Sequence, residues 1–134
     1  MQKENKKGGC TIYLVRHGQT EWNEKRITQG QSESLISKIG VRQAEKVGEQ
    51  FKHIEFRAVY SSDLSMANRT AEIIKLDRAL SIQTSKLLRG RSYGSFEGKK
   101  IDVYKNSLKN KLAERESLPE NEYTSFKLTP EVET

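Results

Sequence analysis

Apolar residues recur along this chain in two rhythms, one continuous and short, the other spaced three and four apart. The run Ile12 to Val15 predicts a buried strand over about residues 11–16. A polar, turn-rich stretch from 18 to 36 follows. From Ser37 the rhythm is helical: Ser37 is placed to cap, and Val41, Ala44, Val47 and Phe51 share one face of a helix reaching about residue 52. A second strand is expected at about 57–61. Ser62 or Asp63 then caps a helix striped by Leu64, Ala67, Ala71 and Ile74. A third strand at 81–86 and a helix at about 101–114, with Ile101, Tyr104, Leu108 and Leu112 inward, complete the series. Strands alternating with helices predict the α/β class. Residues 1–10, with Lys3, Lys6, Lys7, Gly8 and Gly9, read as a disordered basic arm. Residues 117–134 carry two prolines and few apolar positions and read as loop or disordered tail, which leaves 11–116 as the domain.

The candidate chemistry sits where the first strand ends. Ile12–Val15 runs directly into Arg16-His17-Gly18, so a cation and an imidazole arrive at a glycine-marked turn. In open α/β sheets the carboxyl ends of strands are where ligands bind. An ordinary imidazole is neutral over much of the physiological range and can act as a nucleophile. Arg16 offers a rigid fork matching two phosphate oxygens. Gly18 is expected to let the backbone approach a ligand and donate N–H groups to it.

The longer string Arg16, His17, Gly18, Gln19, Thr20, Trp22, Asn23 resembles the strand-end motif of the histidine phosphatase, or phosphoglycerate mutase-like, superfamily. The match continues through Gln29-Gly30 with Ser32, Glu33, Ser34, Ile36, Ser37 and Gly40, where Leu35 replaces the usual proline. It continues through Ser61-Ser62-Asp63-Leu64 with Ala67, Thr70 and Ala71, and through Leu88 to Gly94 with Glu97-Gly98. Ser61-Ser62-Asp63 is closer to the phosphatase branch than to the mutase branch. The resemblance implies a three-layer α/β/α fold with a mostly parallel sheet, C-terminally truncated in this chain. It implies a phosphohistidine intermediate on His17 with Arg16 beside it, and no cofactor and no metal. It also implicates Gly18, Gln19, Thr20 and Asn23 in substrate binding. Gln29 and Gly30 can join them or form a plain turn. Arg91 and Tyr93 can frame the substrate or be a solvated arginine and a half-buried tyrosine. Trp22 reads as packing.

Three departures bear on activity. Where the resemblance implies an arginine on the helix after the second strand, this chain has Met66. Where it implies a glutamate between two arginines, it has Gly90. The family's late His-Gly strand end has no match up to Thr134. A sheet without that strand has a gap, or pairs its first two strands directly, or borrows a strand, and its open edge invites self-association. His53 lies in a helix-end context. Arg69 and Glu97 stand as substitutes for the missing cation and acid. The expected function is therefore a weak or inactive phosphomonoesterase. The alternatives are a pseudophosphatase that binds phosphate or phosphoprotein, and an unstable relative without activity.

Composition narrows the partners. In 134 residues, 34% are hydrophobic and 31% charged, which predicts a small core. The net charge of +6 suits a small phosphorylated substrate or phosphate. It also suits nucleic acid, but aromatics are few, no RNP-type or zinc-finger spacing occurs and the cations are scattered, so no nucleic-acid partner is expected. No apolar stretch nears the roughly 18 residues of a membrane span, so no membrane partner is expected. Cys10, the single cysteine, excludes an intrachain disulfide, fits the cytoplasm, and is expected to pack at the strand end.

Overall fold

The computed structural model describes residues 9–123. A one-turn helix α1 (Glu21–Glu24) opens the series, followed by α2 (Lys38–Phe51), β1 (Val59–Ser62), α3 (Ser65–Lys75) and β2 (Ile82–Ser85). Two 3₁₀ turns, Lys86–Leu88 and Gly94–Phe96, lead to α4 (Ile101–Ser107), α5 (Lys109–Glu116) and the single turn α6 (Glu120–Tyr123). β1 and β2 pair in parallel, from Val59 opposite Ile82 to Ser62 opposite Ser85, with α3 as the crossover that parallel pairing requires. The α/β class and the parallel sheet are therefore as the sequence rhythm and the resemblance suggested.

Ser37 caps α2 as expected, its hydroxyl accepting from the N–H of Gly40 at 3.1 Å. The positions α2 buries most deeply are Gly40, Ala44 and Gly48, one per turn, with Val41, Val47 and Phe51 half-buried around them. Small residues in a row let α3 approach closely, and α3 answers with buried Met66 and Thr70. Arg78 closes the far end, donating to the carbonyls of Phe51 and Ile54 at the end of α2.

The first strand is a correction. Residues 11–16 belong to no ladder, and the described sheet has two strands. Ile12 is 83% exposed and Leu14 95%. Tyr13 holds the segment to the body by edge contacts to Phe51 and Phe56, with centroids at 5.1 and 5.5 Å. An apolar run becomes a strand only when another backbone lies alongside it, and none of the described residues does. Cys10 is also exposed rather than packed.

The helix expected at 101–114 is broken. Leu108 leaves helical geometry (φ −113°, ψ 8°) between α4 and α5 while remaining buried beside Tyr104. Asn106 and Ser107, weak helix formers, precede the break. Tyr104 and Leu108, with Tyr93 and Phe96 packed on them, form a small aromatic core of their own. In the tail, 120–123 is helical rather than loop, and 124–134 and the arm's residues 1–8 lie outside the described residues. Among the described residues no helix is long and apolar enough to cross a membrane.

Candidate active site

His17 sits at the end of the unpaired segment, half-buried, over a hollow of about 210 Å³ between residues 15–18 and the facing sides of α2 and α3. Its Nδ1 lies 2.8 Å from the carbonyl oxygen of Gly18. A carbonyl only accepts, so Nδ1 carries the proton and donates. In the neutral ring Nε2 is then left with its lone pair free, the state a nucleophilic imidazole requires. Arg16 beside it is exposed.

The turn after His17 is fixed by packing. A Cβ on Gly18 would meet the Gly40 carbonyl oxygen at 2.5 Å, and one on Gly40 would meet the Gln19 oxygen at 2.1 Å, so two glycines let the backbone lie against the first turn of α2. The close approach at Gly18 is therefore to α2. The N–H groups expected to face a ligand already have protein acceptors: Gly18 N donates to Thr70 Oγ1 at 3.0 Å, Gln19 N to Gln43 Oε1 at 2.9 Å, and Thr20 N to Asn23 Oδ1 at 3.1 Å. A ligand taking any of these donors has to displace a side chain.

Thr20 and Asn23 form a capping box at α1, and Thr20 is fully buried, its hydroxyl donating to Gln29 Oε1 at 2.6 Å. Asn23 also donates to Gln29 Oε1, at 3.4 Å. Gln29 is 8% exposed, and its amide Nε2 is buried with no acceptor. The Gln19 side chain accepts from the Ser37 hydroxyl at 2.9 Å, which ties the turn to the α2 cap. These four residues hold the loop in shape. The Thr-x-x-Asn spacing before a short helix is the sequence signal for that role.

Gly30 adopts φ +59°, where its missing Cβ makes room for the Glu97 carboxylate. Glu97 accepts from Gln31 N at 3.0 Å, Tyr93 N at 2.9 Å, Ser32 Oγ at 2.5 Å and Ser92 Oγ at 3.3 Å. Burial pushes its carboxyl up, but the four donors outweigh burial and hold it below the usual carboxylate range. Glu97 is thus a latch between loop 30–32 and the 92–97 turn, kept ionised, and unsuited to the acid role weighed for it. Nothing in the sequence alone marks its four partners.

The arginines expected nearby are committed elsewhere. Arg89 grips Asp63 through two bonds, at 2.7 and 2.6 Å, and holds that carboxyl below its ordinary value. Arg91 stacks over the Tyr93 ring at 4.5 Å and donates to the Tyr104 hydroxyl at 2.9 Å. Arg91 and Tyr93 therefore belong to the α4 aromatic core. Arg69, the substitute cation, is exposed and paired with Glu72 at 2.9 Å. Met66 is 3% exposed, and a Cβ on Gly90 would meet nothing within 4 Å. Glu33 caps α3 at the N–H and hydroxyl of Ser65. Trp22 packs near Gly98. His53 is exposed at the end of α2, lining a separate hollow with Phe56 and Arg78.

Residues 12–127 match the sequence model of the histidine phosphatase superfamily, branch 1. The chain is 43% identical over 90 residues to a probable phosphoglycerate mutase GpmB of Proteus mirabilis, covering 67% of this chain and 42% of that protein. It thus spans less than half the length of the curated relatives it matches. YhfR of Bacillus stearothermophilus superposes with a TM-score of 0.73 at 28% identity, over 88% of this chain and 56% of that one. A mycobacterial glucosyl-3-phosphoglycerate phosphatase, solved in complex with VO3, superposes at 0.67 with 29% identity, over 75% and 50%.

Proposed function

Because the chain belongs to the histidine phosphatase superfamily, branch 1, we propose that it is a slow phosphomonoesterase that takes a phosphoryl group from a small ester onto Nε2 of His17. The observation that carries this reading is the Nδ1–Gly18 hydrogen bond, which leaves Nε2 bare over a hollow beside an exposed arginine. Nε2 attacks phosphorus, the P–O ester bond breaks, and the leaving alkoxide takes a proton from solvent. Water then cleaves the N–P bond, releasing phosphate and restoring the imidazole. Arg16 binds the phosphoryl oxygens.

The rate is low because Met66 and Gly90 stand where the family has an arginine and a glutamate. One missing preorganised donor costs about two to three orders of magnitude, and a missing acid roughly two to four. The two losses do not simply add. The work is expected in the cytoplasm on soluble esters, with a second copy of the chain as partner along the exposed apolar segment 11–16. A second reading, phosphate binding without turnover, is favoured by Met66, which stands buried at 3% exposure where the family has an arginine.

The test is p-nitrophenyl phosphate hydrolysis with vanadate calorimetry. Slow turnover that His17→Asn abolishes is expected, with vanadate inhibition and a gain of at least tenfold when Met66→Arg and Gly90→Glu are combined. Vanadate binding without turnover in either chain selects the second reading, and neither binding nor turnover overturns both.

A further inference from the structure

The imidazole of His17 is oriented through the peptide groups on either side of Gly18. Its Nδ1 donates to the Gly18 carbonyl at 2.8 Å. That carbonyl and the N–H of Gln19 belong to one planar peptide group, and the N–H donates to Oε1 of Gln43 on α2 at 2.9 Å. The preceding peptide group presents the N–H of Gly18 to Thr70 Oγ1 on α3 at 3.0 Å. The Thr70 hydroxyl is itself aimed, donating to the Met66 carbonyl at 2.7 Å. Gly18 supplies no stiffness of its own, since without a Cβ its backbone is the freest of any residue. Both flanking planes are therefore held from outside, one by each helix. The Gln43 bond has a second effect: an amide whose N–H already donates is polarised, and its carbonyl accepts more strongly.

We infer that Gln43 is a positioning residue for His17, with Thr70 as its counterpart on the other peptide plane. By fixing the Gly18–Gln19 plane, Gln43 keeps the ring proton on Nδ1 and the lone pair on Nε2. The inference rests on the reading of His17 as phosphoryl acceptor and deepens it. Gln43 is exposed on the helix, so Gln43→Met keeps length and helix propensity while removing the acceptor. Gln43→Glu keeps an oxygen acceptor.

The experiment is ¹⁵N NMR of the imidazoles of the full chain at a pH of about 8.5, where an ordinary imidazole is neutral. His53→Gln assigns the resonances. The wild-type His17 ring is expected to be protonated on Nδ1. In Gln43→Met the Nδ1–H to Nε2–H ratio is expected to fall about two- to threefold, the lower end of what one neutral hydrogen bond is worth because the Nδ1–Gly18 contact is weakened and not removed, while Gln43→Glu keeps the wild-type ratio. Gln43→Ala gives the same reading should the methionine variant precipitate. An unchanged ratio in Gln43→Met or Gln43→Ala overturns the inference, as does a wild-type ring protonated on Nε2. Phosphohistidine formation, followed on the same samples, separates the two claims. If the ratio moves as stated but His17 never takes phosphate, the positioning role stands and the phosphoryl reading falls.

Discussion

At Gly30 the backbone sits in the left-handed region and its absent Cβ is replaced by a carboxylate. A side chain there is excluded twice, by φ and by Glu97 Oε1, which lies 2.0 Å from where a Cβ would stand. Gly30→Ala is expected to destabilise by about 2 kcal/mol or more, read as a lower urea midpoint. Glu97 also sets a pH dependence. Its folded pKa lies below the unfolded value because four donors favour the carboxylate. Its contribution is therefore fully present above the ordinary glutamate pKa and is lost as pH falls through the depressed folded value. Urea titrations from neutral toward acid are expected to show that decline in the wild type and a flatter profile in Glu97→Gln. Equal slopes would remove the latch. His17 and Arg16 stand out as candidates in the sequence because they lie in one contiguous string, and the fold places both beside one hollow. Two of the partners of Glu97 are not legible there, since Gln31 and Ser32 lie 66 and 65 residues away in sequence and only the fold brings them to it.

At the scale of elements, α2, α3 and the two parallel strands follow from the apolar rhythm, and the Ser37 cap from its type and place. What rhythm does not report is a neighbour. Residues 11–16 have the composition of a buried strand, yet no described backbone pairs with them. Nor does it distinguish a residue facing a ligand from one closing a loop. Thr20 and Asn23 match a ligand-binding string, yet cap α1 and brace Gln29. Thr20→Ala is expected to cost about 1 kcal/mol for the lost cap, with more for the stranded Gln29 acceptor, measurable by urea unfolding. Gly40→Ala tests the seat of the turn at residues 17–19. A methyl adds up to about 1 kcal/mol of helix propensity, but it would stand 2.1 Å from a backbone oxygen. The overlap wins, and the variant is expected to be less stable and to bind vanadate more weakly.

The described residues hold two small centres, one where α2 and α3 meet around Ala44 and Met66, the other around Tyr104 and Leu108. Among the described residues the buried side chains are polar more often than hydrophobic, in keeping with the charged composition. Such a body depends on hydrogen-bonded loops as much as on apolar burial. Its most exposed apolar residues include Ile12 and Leu14, on the unpaired segment. Exposed apolar surface draws other chains, so light scattering is expected to show concentration-dependent association that Leu14→Lys reduces without lowering thermal stability.

Phosphoryl transfer to His17 is tested most directly through the N–P bond it forms. The chain, incubated with a ³²P-labelled phosphomonoester, quenched in alkali and mapped by peptide mass spectrometry, is expected to carry an alkali-stable, acid-labile phosphate on His17, absent in His17→Asn. Label on another residue, or no label under conditions where vanadate binds, would contradict the account.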